Sequence, residues 1–302
     1  HLNKKYILKR LQDIEKLQTA IKDLKDILDT PKRIKQIIIY ELKEIIKKYG
    51  KLRKTEIIYA SEIDDSPVGE EVPDYPVHIF FTKEGYFKKI TPLSLRMSGA
   101  QKLKDGDEII QTFETSNAKE LLFFTNKCQV YKTSAASFED SKASVMGDFI
   151  PAKLEMEEGE APVFMAVTSD YSGYMLFFFE NGKAAKVDMK AYQTVTKRKK
   201  LIKAFSDKSP VSKIMHIPED KELVVISSAG RHLLINTAVI SPKTTKDTIG
   251  VGVMTLKKGH RLMDVREYVE GEFSKPHRYK AKNLPAAGAL LSADDEGEQI
   301  TF

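Results

Sequence analysis

Four stretches of the chain repeat one pattern: an apolar run, a turn built on glycine or a substitute, and a second run that mixes apolar and basic residues. They read VHIFFTKEGYFKKI at 77–90, ELLFFTNKCQVYKT at 120–133, YMLFFFENGKAAKV at 174–187 and ELVVISSAGRHLLI at 222–235. Each is the signature of a two-stranded hairpin. Counted from the residue five before the turn, the copies start at Phe80, Phe123, Phe177 and Val225, at intervals of 43, 54 and 48 residues. A hairpin this small cannot bury its own apolar face, so copies at this spacing must share a core, as the blades of a propeller do. A weaker fifth copy, ALLSADDEGEQITF, occupies 289–302. The expectation is a mainly β, propeller-like domain of about five to six blades over residues 75–302. The connecting segments echo one another as well: 98–113, 146–167 and 250–265 each show a small-residue turn, an apolar strand, a charged turn with glycine and another strand.

Ahead of the repeats the period is helical. Ile7, Leu11, Ile14, Leu17, Ile21, Leu24 and Leu28 recur at steps of four and three, the coiled-coil-like stripe of an amphipathic helix. Thr30 and Pro31 are suited to cap and open a second helix, striped by Ile34, Ile37, Ile38, Leu42, Ile45, Ile46 and Tyr49, with Gly50 expected as the left-handed residue that ends it. Two readings of the first stripe stand: packing within a helical hairpin, or a seam for a partner helix from a longer parent chain. This gives a helical segment at 1–50, a linker at 51–74 containing a strand-like stretch from Thr55 to Ala60, and the repeat domain. No stretch approaches the roughly 20 apolar residues of a membrane span, and the N-terminus lacks the plan of a signal peptide, which points to the cytoplasm and to no membrane partner. The single cysteine, Cys128, excludes an internal disulfide framework, and its apolar surroundings point to a buried, inert thiol.

A net charge of +6 says little alone, but its distribution is uneven. Residues 1–60 hold 16 Lys/Arg against 8 Asp/Glu; later, 183–213 carry ten basic residues with only Asp188 and Asp207 as acids, and 231–282 carry eleven basic against five acidic. Acid gathers at 62–74, at Glu155, Glu157, Glu158 and Glu160, and in the tail Asp294, Asp295, Glu296 and Glu298. A near-neutral domain with separated signs can present one basic edge.

The succession from DILDTPKRIKQIIIYELKEIIKKYGKLRKTEII to VHIFFTKEGYFKKITPLS and the later FFT-x-x-G-x-x-x-K repeats resembles the A-type subunit of bacterial type IIA DNA topoisomerases, where the last helices of the breakage-reunion region lead into the C-terminal domain. The resemblance covers nearly the whole chain. It implies a β-pinwheel, a propeller-like disc whose basic perimeter binds and bends double-stranded DNA. It also implies that the cleavage tyrosine, its supporting arginine and the metal-binding acidic cluster lie upstream of residue 1, so that His1 reads as a fragment start and this polypeptide binds DNA without cutting it. ATP and Mg2+ would then be used elsewhere in the holoenzyme, an isomerase in which an A-type dimer joins a B-type ATPase subunit; the fragment itself is expected to be monomeric. Gyrase A subunits carry a basic box, roughly Q-R-R-G-G-K-G, in the first blade. The matching Leu95-Arg96-Met97-Ser98-Gly99-Ala100-Gln101 keeps only Arg96 and Gly99, which implies a topoisomerase IV-like protein working in decatenation and relaxation, a diverged gyrase A being the alternative.

Phosphate recognition needs arrayed cations. The expected DNA-binding residues are Lys197, Arg198, Lys199, Lys200 and Lys203 between the third and fourth hairpins; the recurring Lys89, Lys132 and Lys186, which become Leu234 in the fourth copy; Lys257, Lys258 and Arg261 in a later turn; and Arg96. The first cluster reads equally as a solvated loop, and the recurring lysines equally as a shared structural device whose stem covers a strand edge. A further basic tract runs through Lys275, His277, Arg278, Lys280 and Lys282. Phe80, Phe81, Phe123, Phe124, Phe177, Phe178 and Phe179 are expected in the core rather than stacked on bases, and no helix-turn-helix or zinc-finger pattern reads sequence. There is no G-x-x-x-x-G-K-[ST] loop and no His/Cys metal spacing, and the acidic tail reads as a solvated turn rather than an Mg2+ site. No residue is assigned a catalytic role. The near-neutral charge of 61–302 leaves a rival from another class, a propeller-like protein-interaction scaffold; for a hydrolase no nucleophile and base can be named.

Overall fold

Asn3 opens the first helix by accepting a hydrogen bond from the Lys5 amide at 3.1 Å. Helix α1 (Lys4–Asp29) and helix α2 (Pro31–Tyr49) meet at Thr30, where Arg33 reaches back to Asp23 at 3.0 Å and to Asp26. Thr30 is the N-cap of α2, but its side chain makes no capping bond; Pro31 supplies the start. Gly50 is not left-handed as expected: at φ −61° it is extended, and a Cβ there would lie 2.3 Å from the Ile46 carbonyl oxygen. Neither helix has a buried residue, and Leu11, Leu17, Leu24, Leu42 and Ile46 are exposed, so the hairpin does not cover its own apolar stripes.

The computed structural model describes residues 3–51, 72–194, 199–281 and 283–295, and divides into two units, 1–58 and 59–302. The expected strand from Thr55 to Ala60 lies outside the described residues.

In the second unit the hairpin repeats form β1 (Pro76–Thr82) with β2 (Tyr86–Ile90), β4 (Glu120–Thr125) with β5 (Val130–Ser134), β8 (Tyr174–Phe179) with β9 (Lys183–Asp188), and β12 (Glu222–Ser227) with β13 (Arg231–Asn236). The four hairpins share one register: Phe80 faces Lys88, Phe123 faces Tyr131, Phe177 faces Ala185 and Val225 faces Leu233. Each turn has one residue at positive φ, Gly85, Cys128, Gly182 or Gly230. Cys128, expected as a buried, inert thiol, is a partly buried turn residue at φ 55° packed against the core between blades 2 and 3, its thiol pKa raised by burial.

A third strand joins each hairpin beside its first: β3 (Ile109–Ser116), β7 (Pro162–Thr168), β11 (Val211–Ile217) and β15 (Leu262–Glu267). A fourth, of two residues only, joins beside its second: β6 (Asp148–Phe149), β10 (Lys200–Leu201), β14 (Val251–Gly252) and β16 (Ala289–Leu290). Among the described residues this makes four blades, each a four-stranded antiparallel sheet. For the first three, the fourth strand arrives only after the chain has built the next blade's hairpin, so consecutive blades interlock. The expectation of five to six blades is corrected here: in the fifth copy, Ala289 and Leu290 pair with His232 and Arg231 and complete blade 4, and residues beyond 295 lie outside the described set.

The first strand of each hairpin carries buried apolar side chains on both faces because cores lie on both sides of the sheets, while the second strands of the first three hairpins mix apolar residues with lysines. Phe81 and Phe123 pack between blades 1 and 2; Phe124, Phe177 and Phe205 between blades 2 and 3; Phe178 and Val225 between blades 3 and 4. The seven phenylalanines read as core are all buried. Blade 4 turns its outer face to Phe273 and Tyr279, and blade 1 to Ala143 and Leu95; among the described residues no core cluster joins blade 4 to blade 1.

Candidate nucleic-acid interface

The third strands mark the inner edge of the blades. Gln111 of β3 donates to the Met165 carbonyl of β7 at 2.9 Å and accepts from its amide at 2.7 Å, while Ser212 of β11 donates to the Met263 carbonyl of β15 at 2.9 Å. The two-residue strands lie at the opposite edge of each sheet, so the segments leading into them form the outer margin. Their construction repeats. The second hairpin strand ends in one helical turn capped by a short polar side chain, Ser134, Asp188 or Asn236, each accepting from an amide two residues on. The chain then returns along the preceding blade: Ser141 bonds the Lys89 carbonyl at 2.7 Å and Lys243 the Lys186 carbonyl at 2.8 Å. Entry into the outer strand passes through Gly147 (φ 89°) and Gly250 (φ 72°), where a Cβ would lie 2.2 Å from the Phe87 oxygen and 2.3 Å from the Ala184 oxygen.

Charge on this margin is concentrated in two places. Residues 189–203 hold six cations and no acid, and 275–290 hold four lysines and arginines and no acid. Lys197, Arg198 and Lys282 lie outside the described residues. The remainder of the first tract is firmly seated: Leu201 is buried on β10, Tyr192 donates to the Ala204 carbonyl at 2.7 Å, and the Phe205 ring stacks on Phe177 at 4.9 Å. That anchoring leaves Lys199 and Lys203 exposed and, among the described residues, without a salt bridge; Lys190 and Lys243 share this state. Several cations on turns and inner strands are neutralised, Lys83 by Glu108 at 2.9 Å, Lys213 by Asp264 at 3.3 Å and Lys221 by Glu267 at 2.6 Å, whereas Lys257 and Lys258, on the turn before β15, are exposed and share the unpaired state. The outer margin therefore carries unpaired charge from which a field would reach a polyanion. Lys190 and Lys243 were not among the expected contacts.

Lys200 differs from its neighbours. Its side chain is 16% exposed, its ammonium lies 5.3 Å from the Tyr131 ring centroid, and it is paired to Glu157 at 2.6 Å. Burial disfavours the charged ammonium, but hydrogen bonds to Glu157 and Tyr131 outweigh this and raise its pKa. The same bond to Lys200 holds the Glu157 carboxyl below the usual carboxylate range. Burial and Glu160 push the Tyr131 phenol to about 12 despite Lys200.

The recurring lysines are corrected. Lys89 and Lys186 are each 2% exposed. The Lys89 ammonium bonds Asn117 at 2.7 Å and pairs with Asp140 at 3.3 Å; that of Lys186 pairs with Asp220 at 2.5 Å and bonds the Thr237 carbonyl at 3.3 Å. Each clamps the linker to the next blade, and neither can reach a phosphate from this position. Lys132 is half-buried, bonding Thr194 at 3.1 Å above the Tyr171 ring, and burial lowers its pKa. Leu234 fills the equivalent site in blade 4, where its neighbours Phe273 and Tyr279 are apolar.

The other expected residues are not brought together. Lys257, Lys258 and Arg261 are exposed on the turn before β15, beside the β12–β13 turn, with Arg261 4.0 Å from Glu180. Arg96 ends the one-turn helix α3 (Pro92–Arg96) and is exposed. Of the acidic tail, Asp294 is exposed and Asp295, partly exposed, is tied down: it accepts from Ser292 and Tyr279 hydroxyls at 2.5 and 2.6 Å and the Ser274 amide at 2.7 Å, which hold its pKa far below normal. Among the described residues no three His, Cys, Asp or Glu side chains are grouped to hold a metal ion, and no helix is long and apolar enough to cross a membrane.

No protein-family model matches the chain. It is 25% identical over 276 residues to the DNA gyrase A subunit of Borreliella burgdorferi, covering 88% of this chain and 34% of that protein. It is 28% identical over 250 residues to the DNA topoisomerase 4 A subunit of Staphylococcus aureus, covering 80% of this chain and 31% of that protein. The chain thus spans about a third of the length of these relatives. Among solved structures, the C-terminal domain of DNA topoisomerase IV superposes with a TM-score of 0.63 at 21% identity, covering 73% of each chain. The C-terminal domain of E. coli ParC does so with a TM-score of 0.54 at 14% identity, covering 72% of this chain and 94% of that one. These likenesses establish the fold, a β-pinwheel.

Proposed function

We propose that this chain, a homologue of the A subunits of DNA gyrase and topoisomerase IV that corresponds to their C-terminal region, binds and bends double-stranded DNA for an ATP-dependent type IIA topoisomerase. The observation that carries this reading is the outer margin of blade 2, where anchored, exposed cations stand without acidic partners. Lys199 and Lys203, with Lys197 and Arg198 of the same tract, are the principal contacts; Lys190 and Lys243 extend them, and Lys257, Lys258, Arg261 and Arg96 lie to either side. Such cations recognise the phosphate backbone and displace its counterions, so binding is general in sequence and steeply salt-dependent.

In the longer parent chain the breakage-reunion region would cut DNA, an A-type dimer would pair with the B-type ATPase subunit, and ATP and Mg2+ would act there, in the bacterial cytoplasm. This chain would hold duplex beside that machinery without cleaving it. We favour a topoisomerase IV-like role in decatenation and relaxation. Where gyrase A subunits carry a basic box, Arg96 is the one cation between Leu95 and Gln101, so blade 1 offers little to fasten a wrapped turn.

Ligating nicked circular DNA in the presence of the chain tests both levels. Tight, salt-sensitive binding that leaves the linking number unchanged supports a bending module; a shift in linking number supports gyrase-like wrapping. Absence of binding even at low salt overturns the reading and favours a protein-interaction scaffold.

A further inference from the structure

The turn Glu155-Met156-Glu157-Glu158-Gly159-Glu160 links the outer strand of blade 1 to the inner strand of blade 2, and one of its acids is fixed in place. Glu160, 4% exposed, accepts from the Thr125 hydroxyl at 2.5 Å and the Tyr131 hydroxyl at 2.9 Å, and from the Glu157 amide at 3.3 Å. These bonds aim the neighbouring acid outward. Glu157, 53% exposed, sets one oxygen 2.6 Å from Lys200 and the other 3.5 Å from Lys127, whose ammonium also bonds the Glu158 carbonyl at 2.7 Å. One anion is therefore bound through two oxygens by two lysines, in the manner of a phosphate.

We propose that Glu157 is a built-in competitor for DNA at blade 2, occupying Lys200 and Lys127 in the free chain and being displaced by a phosphate of bound duplex. The proposal rests on the DNA-binding reading above. Lys199 and Lys203, on the same strand segment, lack acidic partners, so a duplex drawn to them passes Lys200. Exchange is open from the Glu157 side, which is 53% exposed to solvent and so gains little net stability from the pairing. Anchoring by Glu160 keeps the competitor close, so it reoccupies the lysines whenever DNA leaves. Blade 2 is thereby kept from binding polyanions indiscriminately while still yielding to a continuous phosphate array.

The test measures affinity of the full chain for duplex DNA of about 40 base pairs at fixed salt. The variants are Glu157→Gln, Glu158→Gln, Lys200→Ala and the double variant Glu157→Gln/Lys200→Ala, with thermal melts run in parallel. E157Q binds about threefold tighter, E158Q, which removes the same charge from an exposed carboxylate beside it, changes affinity by less than about half as much on a logarithmic scale, and the E157Q gain disappears in the K200A background. A purely structural ion pair instead lowers the melting temperature of E157Q without tightening binding, and that result overturns the proposal. So does a gain that persists without Lys200. If neither the unaltered chain nor any variant binds at low salt, it is the DNA-binding reading that fails, and the competitor fails with it.

Discussion

The ammonium of Lys186 and the carboxylate of Asp220 meet at 2.5 Å, with the lysine side chain 2% exposed, so the pair joins β9 to the linker that starts the next hairpin. Thr237 completes it, donating its hydroxyl to Asp220 at 2.6 Å while its carbonyl accepts from Lys186 at 3.3 Å. Removing the buried lysine leaves the partly exposed Asp220 and the Thr237 carbonyl without their partner. Lys186→Ala is expected to cost about 2 kcal/mol in urea unfolding, while DNA affinity changes less than about twofold. A large loss of affinity in a variant of unaltered stability would contradict the structural assignment.

Gly147 and Gly250 are the points where the chain turns into an outer strand at positive φ, each against a carbonyl oxygen of the blade it completes. An alanine meets both a disfavoured backbone and a collision with backbone rather than with a movable side chain. Gly250→Ala is expected to lower stability by about 2–3 kcal/mol. Gly106, also at positive φ but with nothing within 4 Å of a built Cβ, serves as the comparison. Its alanine variant costs about 1 kcal/mol from backbone conformation alone. Denaturant titration of the two variants separates collision from conformation.

Asp295 and Asp220 have pKa values depressed in the folded chain, Asp295 by the Ser292 and Tyr279 hydroxyls and the Ser274 amide, Asp220 by Lys186 and Thr237. A carboxyl whose folded pKa lies below its unfolded value contributes stability that is present above the unfolded pKa and is lost as pH falls through the folded one. The melting temperature is therefore expected to hold on acidification to about pH 5 and to decline below about pH 4. Asp295→Asn starts from a lower melting temperature and declines less steeply; an identical acid slope in both chains would remove Asp295 from this account.

How far these features were legible depends on the range of the interaction that fixes them. Hairpins are local, so an apolar run, a turn residue and a second run were enough to locate all four, from β1–β2 to β12–β13. Outer strands such as Lys200–Leu201 are two residues long and carry no period, and their pairing crosses a whole intervening hairpin, so nothing local marked them. The fifth copy misled for that reason: Ala289 and Leu290 are apolar because they close blade 4, not because they begin another. Recurrence of Lys89, Lys132 and Lys186 was plain, but its meaning lay in Asn117, Asp140 and Asp220, brought close only by the fold. The tract around Lys199 was readable because charge runs are local, whereas the pairing of Lys200 with Glu157, 43 residues earlier, was not.

Salt dependence separates cations that touch phosphate from cations that are merely exposed. For duplex DNA the slope of log affinity against log salt is about −0.9 per neutralised phosphate. Lys199 and Lys203 stand on an outer strand segment held by Leu201, Tyr192 and Phe205, so removing their charge leaves the framework intact. Lys199→Ala/Lys203→Ala is expected to weaken binding and to flatten the slope by about two. Lys257→Ala/Lys258→Ala removes the same charge from the turn before β15, beside the hairpin turns and away from the outer strands. It is expected to reduce affinity through the general field while flattening the slope by less than about one. The reverse ranking would move the DNA path from the outer margin to the turn-bearing face, and with it the contact set assigned to blade 2.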